Sequence, residues 1–167
     1  MSSNEKKITT PEESVVALLK NKGLTVSTAE SCTGGLLCGR IINVPGASDV
    51  IGTGIVTYSN KAKKKYLGVK RSTLRKHGAV SAKCAKEMAR GICRETGSDV
   101  GLATTGIAGP DGGSADKPVG LVFIGCCIRG KVKVRQYEFS GDRAQVREQA
   151  VKVALKMLRK RLSVYGE

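Results

Sequence analysis

Short β-favouring apolar runs alternate with longer stretches of helical periodicity along almost the whole chain, and this alternation restricts the fold to a sheet flanked by helices. Thr10-Pro11-Glu12-Glu13 reads as an N-cap, a proline at the first helical position and a capping-box acid, and Val15, Val16, Leu18 and Leu19 carry a helix to about Lys22. Gly23 ends it. The β-favouring Leu24-Thr25-Val26-Ser27-Thr28 then leads to Ser31, and a helix starting near Thr33 is predicted to run to about Asn43, before a turn at Pro45-Gly46. Ile51 to Tyr58 alternates as a second strand. Lys61 to Leu67 and Ser72 to His77 read as short helices. Ser81 to Thr96 is a longer one, with Ala82, Ala85, Met88, Ala89 and Ile92 on one face and Gly97 as its stop. Asp99 to Thr105 is a third strand, and Val119 to Ile128 and Val132 to Phe139 are two more, joined by a hairpin turn at Arg129-Gly130. Gly141-Asp142-Arg143 opens a last helix that carries Val146, Ala150, Val153, Leu155 and Leu158 to about Leu162.

This order implies an α/β fold with a mixed sheet covered by helices on both faces. A length of 167 residues with 40% hydrophobic content suits one well-buried domain and is short for two. The expected organisation is a flexible N-terminal segment over 1–10 and a single domain over 11–167. No apolar run approaches the roughly 18 to 20 residues that span a membrane, and Met1 to Thr10 lacks the apolar core of a signal peptide. A cytoplasmic protein with no membrane partner is expected. The six cysteines, at 32, 38, 84, 93, 126 and 127, contain no Cys-x-x-Cys pair, and a single histidine, His77, leaves little material for a zinc site. Free, mostly buried thiols are expected.

The formal net charge of +15 is unevenly placed. Between Lys61 and Arg94 stand twelve basic residues against one acid, Glu87. Such a face attracts polyanions, so a basic nucleic-acid-binding protein is carried as a rival function. Only 4% aromatic content, no tryptophan and no zinc-finger spacing or stacking motif argue against it, and a solvated helix face is the commoner explanation of such a run.

Ala29-Glu30-Ser31-Cys32-Thr33-Gly34-Gly35 places a hydroxyl nucleophile where a strand turns into a helix. A helix starting near Thr33 would aim free N–H groups and its positive dipole end at an oxyanion beside Ser31, and Gly34 and Gly35 permit close backbone approach. The competing reading makes Ser31 a helix N-cap beside a tight turn. Cys32 is the neighbouring alternative nucleophile. The Tyr58-Ser59-Asn60-Lys61-Ala62-Lys63 segment and the glycine-rich Thr104 to Gly113 each follow a predicted strand, so all three would converge at one edge of the sheet, where open α/β sheets bind ligands.

Taken in order, Ala-Glu-Ser-Cys-Thr-Gly-Gly at 29–35, Tyr-Ser-Asn-x-x-Lys at 58–63, His-Gly-Ala-Val-Ser at 77–81, Thr-Gly-Ile-Ala-Gly-Pro-Asp-Gly-Gly at 105–113, Lys-Pro-Val-Gly at 117–120 and Gly-Asp-Arg at 141–143 resemble the successive motifs of the CinA C-terminal domain family. The resemblance covers the chain from about residue 11 to 162. It implies a three-layer α/β/α sandwich and a stand-alone nicotinamide-nucleotide amidase, which hydrolyses nicotinamide mononucleotide (NMN) to nicotinate mononucleotide and ammonia in pyridine nucleotide salvage. It also implies that no metal or organic cofactor is needed.

The expected mechanism is attack by Ser31 on the amide carbonyl, loss of ammonia, and hydrolysis of the acyl-enzyme. With one histidine and no Ser-His-Asp order, a lysine is the expected base, as in Ser-Lys variants of the triad. Lys63 is the position matched by the resemblance, with Lys61 two residues away as the alternative. An ordinary lysine, with a pKa of about 10.4, is protonated at neutral pH, so burial or the neighbouring Lys61, Lys64 and Lys65 must depress it. Tyr58 is expected either to bond Ser31 or the lysine, or to be a core tyrosine with its hydroxyl at the surface. Thr33, Gly34, Gly35, Thr105, Gly106 and Gly109 are candidate substrate-binding residues, with Arg143 and Arg147 for the phosphate. Asn60 is expected to bind ligand or cap the following helix. A homo-oligomer is expected on general grounds. A catalytically idle, oligomerising version of the fold is the remaining alternative.

Overall fold

The computed structural model describes residues 9–166. Five strands, β1 (Val26–Glu30), β2 (Ile51–Val56), β3 (Val100–Gly106), β4 (Leu121–Ile128) and β5 (Lys131–Glu138), form one sheet in the order β2-β1-β3-β4-β5. β1 is parallel to β2 and β3, whereas β3, β4 and β5 run antiparallel in turn, so the sheet is mixed. Among the described residues six α-helices surround it: α1 (Pro11–Lys22), α2 (Leu36–Ile42), α3 (Asn60–Leu67), α4 (Arg71–His77), α5 (Ala82–Thr96) and α6 (Arg143–Ser163).

The three layers follow from which side of each strand is apolar. Val26, Leu102, Val122, Ile124 and Cys126 pack with Leu19 of α1, Leu37 and Ile41 of α2, and Val151, Leu155 and Leu158 of α6. Ala29, Ala103 and Cys127 face the other way, against Met88, Ala89 and Ile92 of α5 and Leu67 of α3. Every residue of β4 is buried, as expected for a strand covered on both faces, whereas the edge strand β5 alternates between exposed and half-buried positions. Gly101 and Gly125 lie directly under the backbone of α5, so a side chain at either would strike the carbonyls of Ala89 or Ala85 and push the helix off the sheet.

Local signals read from the sequence account for the helix ends. Thr10 and Glu13 close a capping box on α1, and Asp142 and Gln145 close another on α6. Gly23, Gly68 and Gly97 terminate α1, α3 and α5. Two expectations shift. α2 begins at Leu36 rather than near Thr33, because Gly34 (φ 58°) and Gly35 (φ 98°) take left-handed conformations that a right-handed helix cannot contain. β2 stops at Val56, after which the Thr57 N–H donates to the Glu30 carbonyl at 2.8 Å. The first eight positions of the segment expected to be flexible lie outside the described residues, and Thr10 is the N-cap of α1. Among the described residues no helix is long and apolar enough to cross a membrane.

Candidate active site

The chain leaves β1 through α2 toward β2 and returns through α3, α4 and α5 to β3, on the other side of β1. Connections that depart to opposite faces open a crevice at the carboxyl ends of β1 and β3. Ser31 is the first residue beyond β1, held there by its N–H bond to the Thr104 carbonyl (3.0 Å), and its side chain is nearly buried.

Ser59 caps α3 through the Ala62 N–H (3.0 Å), which sets the rotation of that helix. Lys63 and Leu67, one turn apart, face inward, whereas Lys61, Lys64 and Lys65 face solvent. Lys63 is 1% exposed; its Nζ lies 2.9 Å from Ser31 Oγ and donates to the Thr57 carbonyl at 2.7 Å. Lys63 and not Lys61 therefore meets the serine. Burial pushes the Lys63 ammonium below the ordinary lysine pKa, and the nearby Cys84 and Cys32 act in the opposite direction. The neighbouring lysines, expected to help depress it, point away. The Thr57 hydroxyl beside this contact is buried and has no hydrogen-bond partner among the described residues.

The expectation of free amides at the start of α2 is corrected by Glu30, a residue to which sequence reasoning assigned no role. Its buried carboxylate accepts the N–H groups of Gly35 (3.0 Å), Leu37 (3.0 Å) and Cys38 (2.8 Å), together with the hydroxyls of Thr33 (2.6 Å) and Thr28 (3.3 Å). The anion at the helix N-terminus is thus internal. An acid closing an otherwise uncharged strand, just ahead of a helix start, was the available signal. The N–H groups of Cys32 and Thr33, which directly follow Ser31, donate to no oxygen among the described residues. Arg147 of α6 grips the same turn, donating from Nε to the Cys32 carbonyl (3.0 Å) and from Nη2 to the Thr33 carbonyl (3.1 Å). Gly34 leaves room for that guanidinium. Burial pushes the Cys32 thiol up to about 11, so it stays neutral and weakly nucleophilic at pH 7.

The rim is built from later segments. Tyr58 is 64% exposed and its hydroxyl accepts from Arg143 Nη2 (3.0 Å); it neither bonds Ser31 or Lys63 nor sits in the core, because Thr57 makes the inward turn after β2. Arg143 also donates to the Gly109 carbonyl (2.8 Å), tying the glycine-rich loop to the start of α6. Thr105 is buried and donates to the Ala79 carbonyl (2.9 Å), which draws the 77–81 segment to the site. Lys117 reaches the His77 carbonyl at 2.6 Å from the far side of the loop. Asn60 is exposed, and the cap expected of it is supplied by Ser59. Gly106 ends β3 at the mouth of the crevice. The structure therefore brings buried Ser31, Lys63, Thr33 and Thr104 together with half-buried Gly35 and Arg147 and exposed Gly34, and sets Tyr58, Asn60, Gly109 and Arg143 around them.

Comparison with known proteins adds the following. The family model described as the CinA C-terminal domain matches residues 8–162. A protein of Clostridium novyi named for competence-damage induction is 54% identical over 153 residues, 92% of this chain and 37% of that protein. A CinA-like protein of Kosmotoga olearia is 54% identical over 151 residues, 90% of this chain and again 37% of its relative. The chain thus spans well under half the length of these curated relatives. Among solved structures, a CinA superfamily protein of Klebsiella pneumoniae superposes with a TM-score of 0.90 at 36% identity, covering 93% of this chain and 97% of that one. A competence/damage inducible protein of Agrobacterium tumefaciens gives 0.87 at 42% identity, covering 92% and 95%.

Proposed function

The chain belongs to the CinA C-terminal domain family, and on that premise we propose that it is a serine amidohydrolase converting NMN and water to nicotinate mononucleotide and ammonia. The observation that carries this reading is the 2.9 Å contact between the buried side chains of Lys63 and Ser31, Nζ to Oγ, since a nucleophile within reach of a desolvated amine is what a Ser-Lys mechanism requires.

In the neutral-amine form, Lys63 accepts the Ser31 proton as Oγ attacks the carboxamide carbon. With the α2 amides occupied by Glu30, the developing oxyanion is met by the N–H groups of Cys32 and Thr33. The protonated Lys63 then returns its proton to the leaving nitrogen; the C–N bond breaks and ammonia departs. Water gives a proton to the same amine as it attacks the acyl-enzyme; the acyl C–Oγ bond then breaks, Oγ takes that proton back from Lys63, and the carboxylate product leaves. The Thr57 carbonyl holds Lys63 aimed at Ser31 through both steps. Arg143, exposed at the rim beside Tyr58, receives the substrate phosphate, while Arg147 shapes the nucleophile turn.

The test is incubation of the purified protein with NMN, following ammonia and nicotinate mononucleotide, with Ser31→Ala and Lys63→Ala in parallel. Hydrolysis that collapses in both variants is the expected result. A well-folded wild-type protein that releases no ammonia from NMN would overturn the substrate assignment.

A further inference from the structure

α6 packs on β3 and β4 and does not cover the edge strand, so a groove of about 420 Å³ lies between its C-terminal half and β5. Lys133 and Arg135 line one wall from β5, and Lys156, Lys160 and Arg161 line the other from α6. No acid is among the lining residues. Arg161 donates to the carbonyls of Cys126 and Lys131 and fastens α6 to the β4–β5 hairpin. The other four cations form no ion pair among the described residues. Between the charged walls stand Tyr137, Val153 and Met157, with the Tyr137 ring stacked on Phe139 at 5.5 Å between centroids.

Cations on an exposed edge strand discourage pairing with another sheet, which accounts for Lys133 and Arg135. It does not account for the cations on the helix facing them, whose mutual repulsion an anion would relieve. The groove is also separate from the Ser31 site: Met157 follows Arg147 by ten helical residues, about 15 Å along α6.

We propose that this groove is a second binding site, taking a nucleoside polyphosphate. The phosphates lie between Lys133 and Arg135 on one side and Lys156 and Lys160 on the other, and the planar base lies against Tyr137 and Met157. The volume is that of a small-molecule pocket and too short for an extended strand track. The terminal nucleotide of a single-stranded nucleic acid carries the same chemistry, so the experiment separates the two sources.

The experiment titrates adenosine triphosphate, inorganic tripolyphosphate and a thymidine oligonucleotide, by calorimetry, into wild type, Lys156→Glu/Lys160→Glu, Tyr137→Ala and Arg143→Glu. Wild type is expected to bind the nucleotide saturably, and the double charge reversal on exposed positions to weaken it at least roughly tenfold while leaving amide hydrolysis unchanged. Tripolyphosphate is expected to bind more weakly than the nucleotide, and Tyr137→Ala to erase that difference. Absence of saturable binding overturns the proposal, as does loss of binding in Arg143→Glu but not in the charge reversal, which would put the ligand at the Ser31 site. An oligonucleotide that outbinds the free nucleotide, increasingly with length, overturns the small-ligand form in favour of a strand.

Discussion

Lys63 Nζ sits 2.9 Å from Ser31 Oγ, although the two residues are 32 positions apart and belong to different layers of the fold. The contact is made away from water, and burial lowers the lysine pKa. If the neutral amine is the base, the rate of amide release rises with pH through an apparent pKa below the ordinary lysine value of about 10.4. A pH–rate profile of kcat/KM checks this; a flat profile over the neutral to alkaline range would count against Lys63 as base.

The same depressed pKa has a consequence for stability. Below the folded pKa the ammonium is buried at a cost that the unfolded chain does not bear; that cost disappears as pH rises through the window up to the unfolded value. Lys63→Met is therefore expected to lower turnover by about 10² to 10⁴ while unfolding at a higher temperature than wild type at pH 7. The stability gap should narrow at alkaline pH, as melting curves at several pH values would reveal.

Glu30 holds five donors with a buried carboxylate, so Glu30→Gln replaces one acceptor oxygen by an amide that must face N–H and O–H groups. A loss of about 2 to 3 kcal/mol in unfolding free energy is expected, with a rise in hydrogen exchange at Gly35, Leu37 and Cys38. Unchanged stability in urea titration would mean that α2 is capped in another way.

Cys32 adjoins Ser31, but burial lifts its thiol to about 11. Cys32→Ala is expected to keep amide hydrolysis within a few-fold of wild type, and native protein at pH 7 to resist iodoacetamide at this position. Peptide mapping of the alkylated protein reads out the second point directly.

Next to the Lys63 contact, Thr57 carries a buried hydroxyl with no hydrogen-bond partner among the described residues. Thr57→Val, which keeps the shape and the backbone carbonyl, should leave stability unchanged or raise it by up to about 1 kcal/mol, with activity retained. A strong loss of kcat at unchanged stability would instead assign that hydroxyl a part in the reaction.

The elements were legible because their signals are local: helical spacing in α5, capping boxes at Thr10 and Asp142, alternation in the strands, and glycines where helices stop. Those signals, with the motifs at 29–35, 58–63 and 105–113, were enough for the mixed α/β/α architecture and the family. What depends on contacts between distant segments was not legible. The choice of Lys63 over Lys61 rests on how α3 is rotated against β1, and that rotation also buries Lys63, which lowers its pKa, while it leaves Lys61, Lys64 and Lys65 in water. The filling of the α2 amides came from a carboxylate on the preceding strand, a side chain whose direction only the packed sheet defines. Periodicity is a property of neighbours along the chain, whereas burial, and with it the chemistry of Ser31 and Lys63, is a property of neighbours in space.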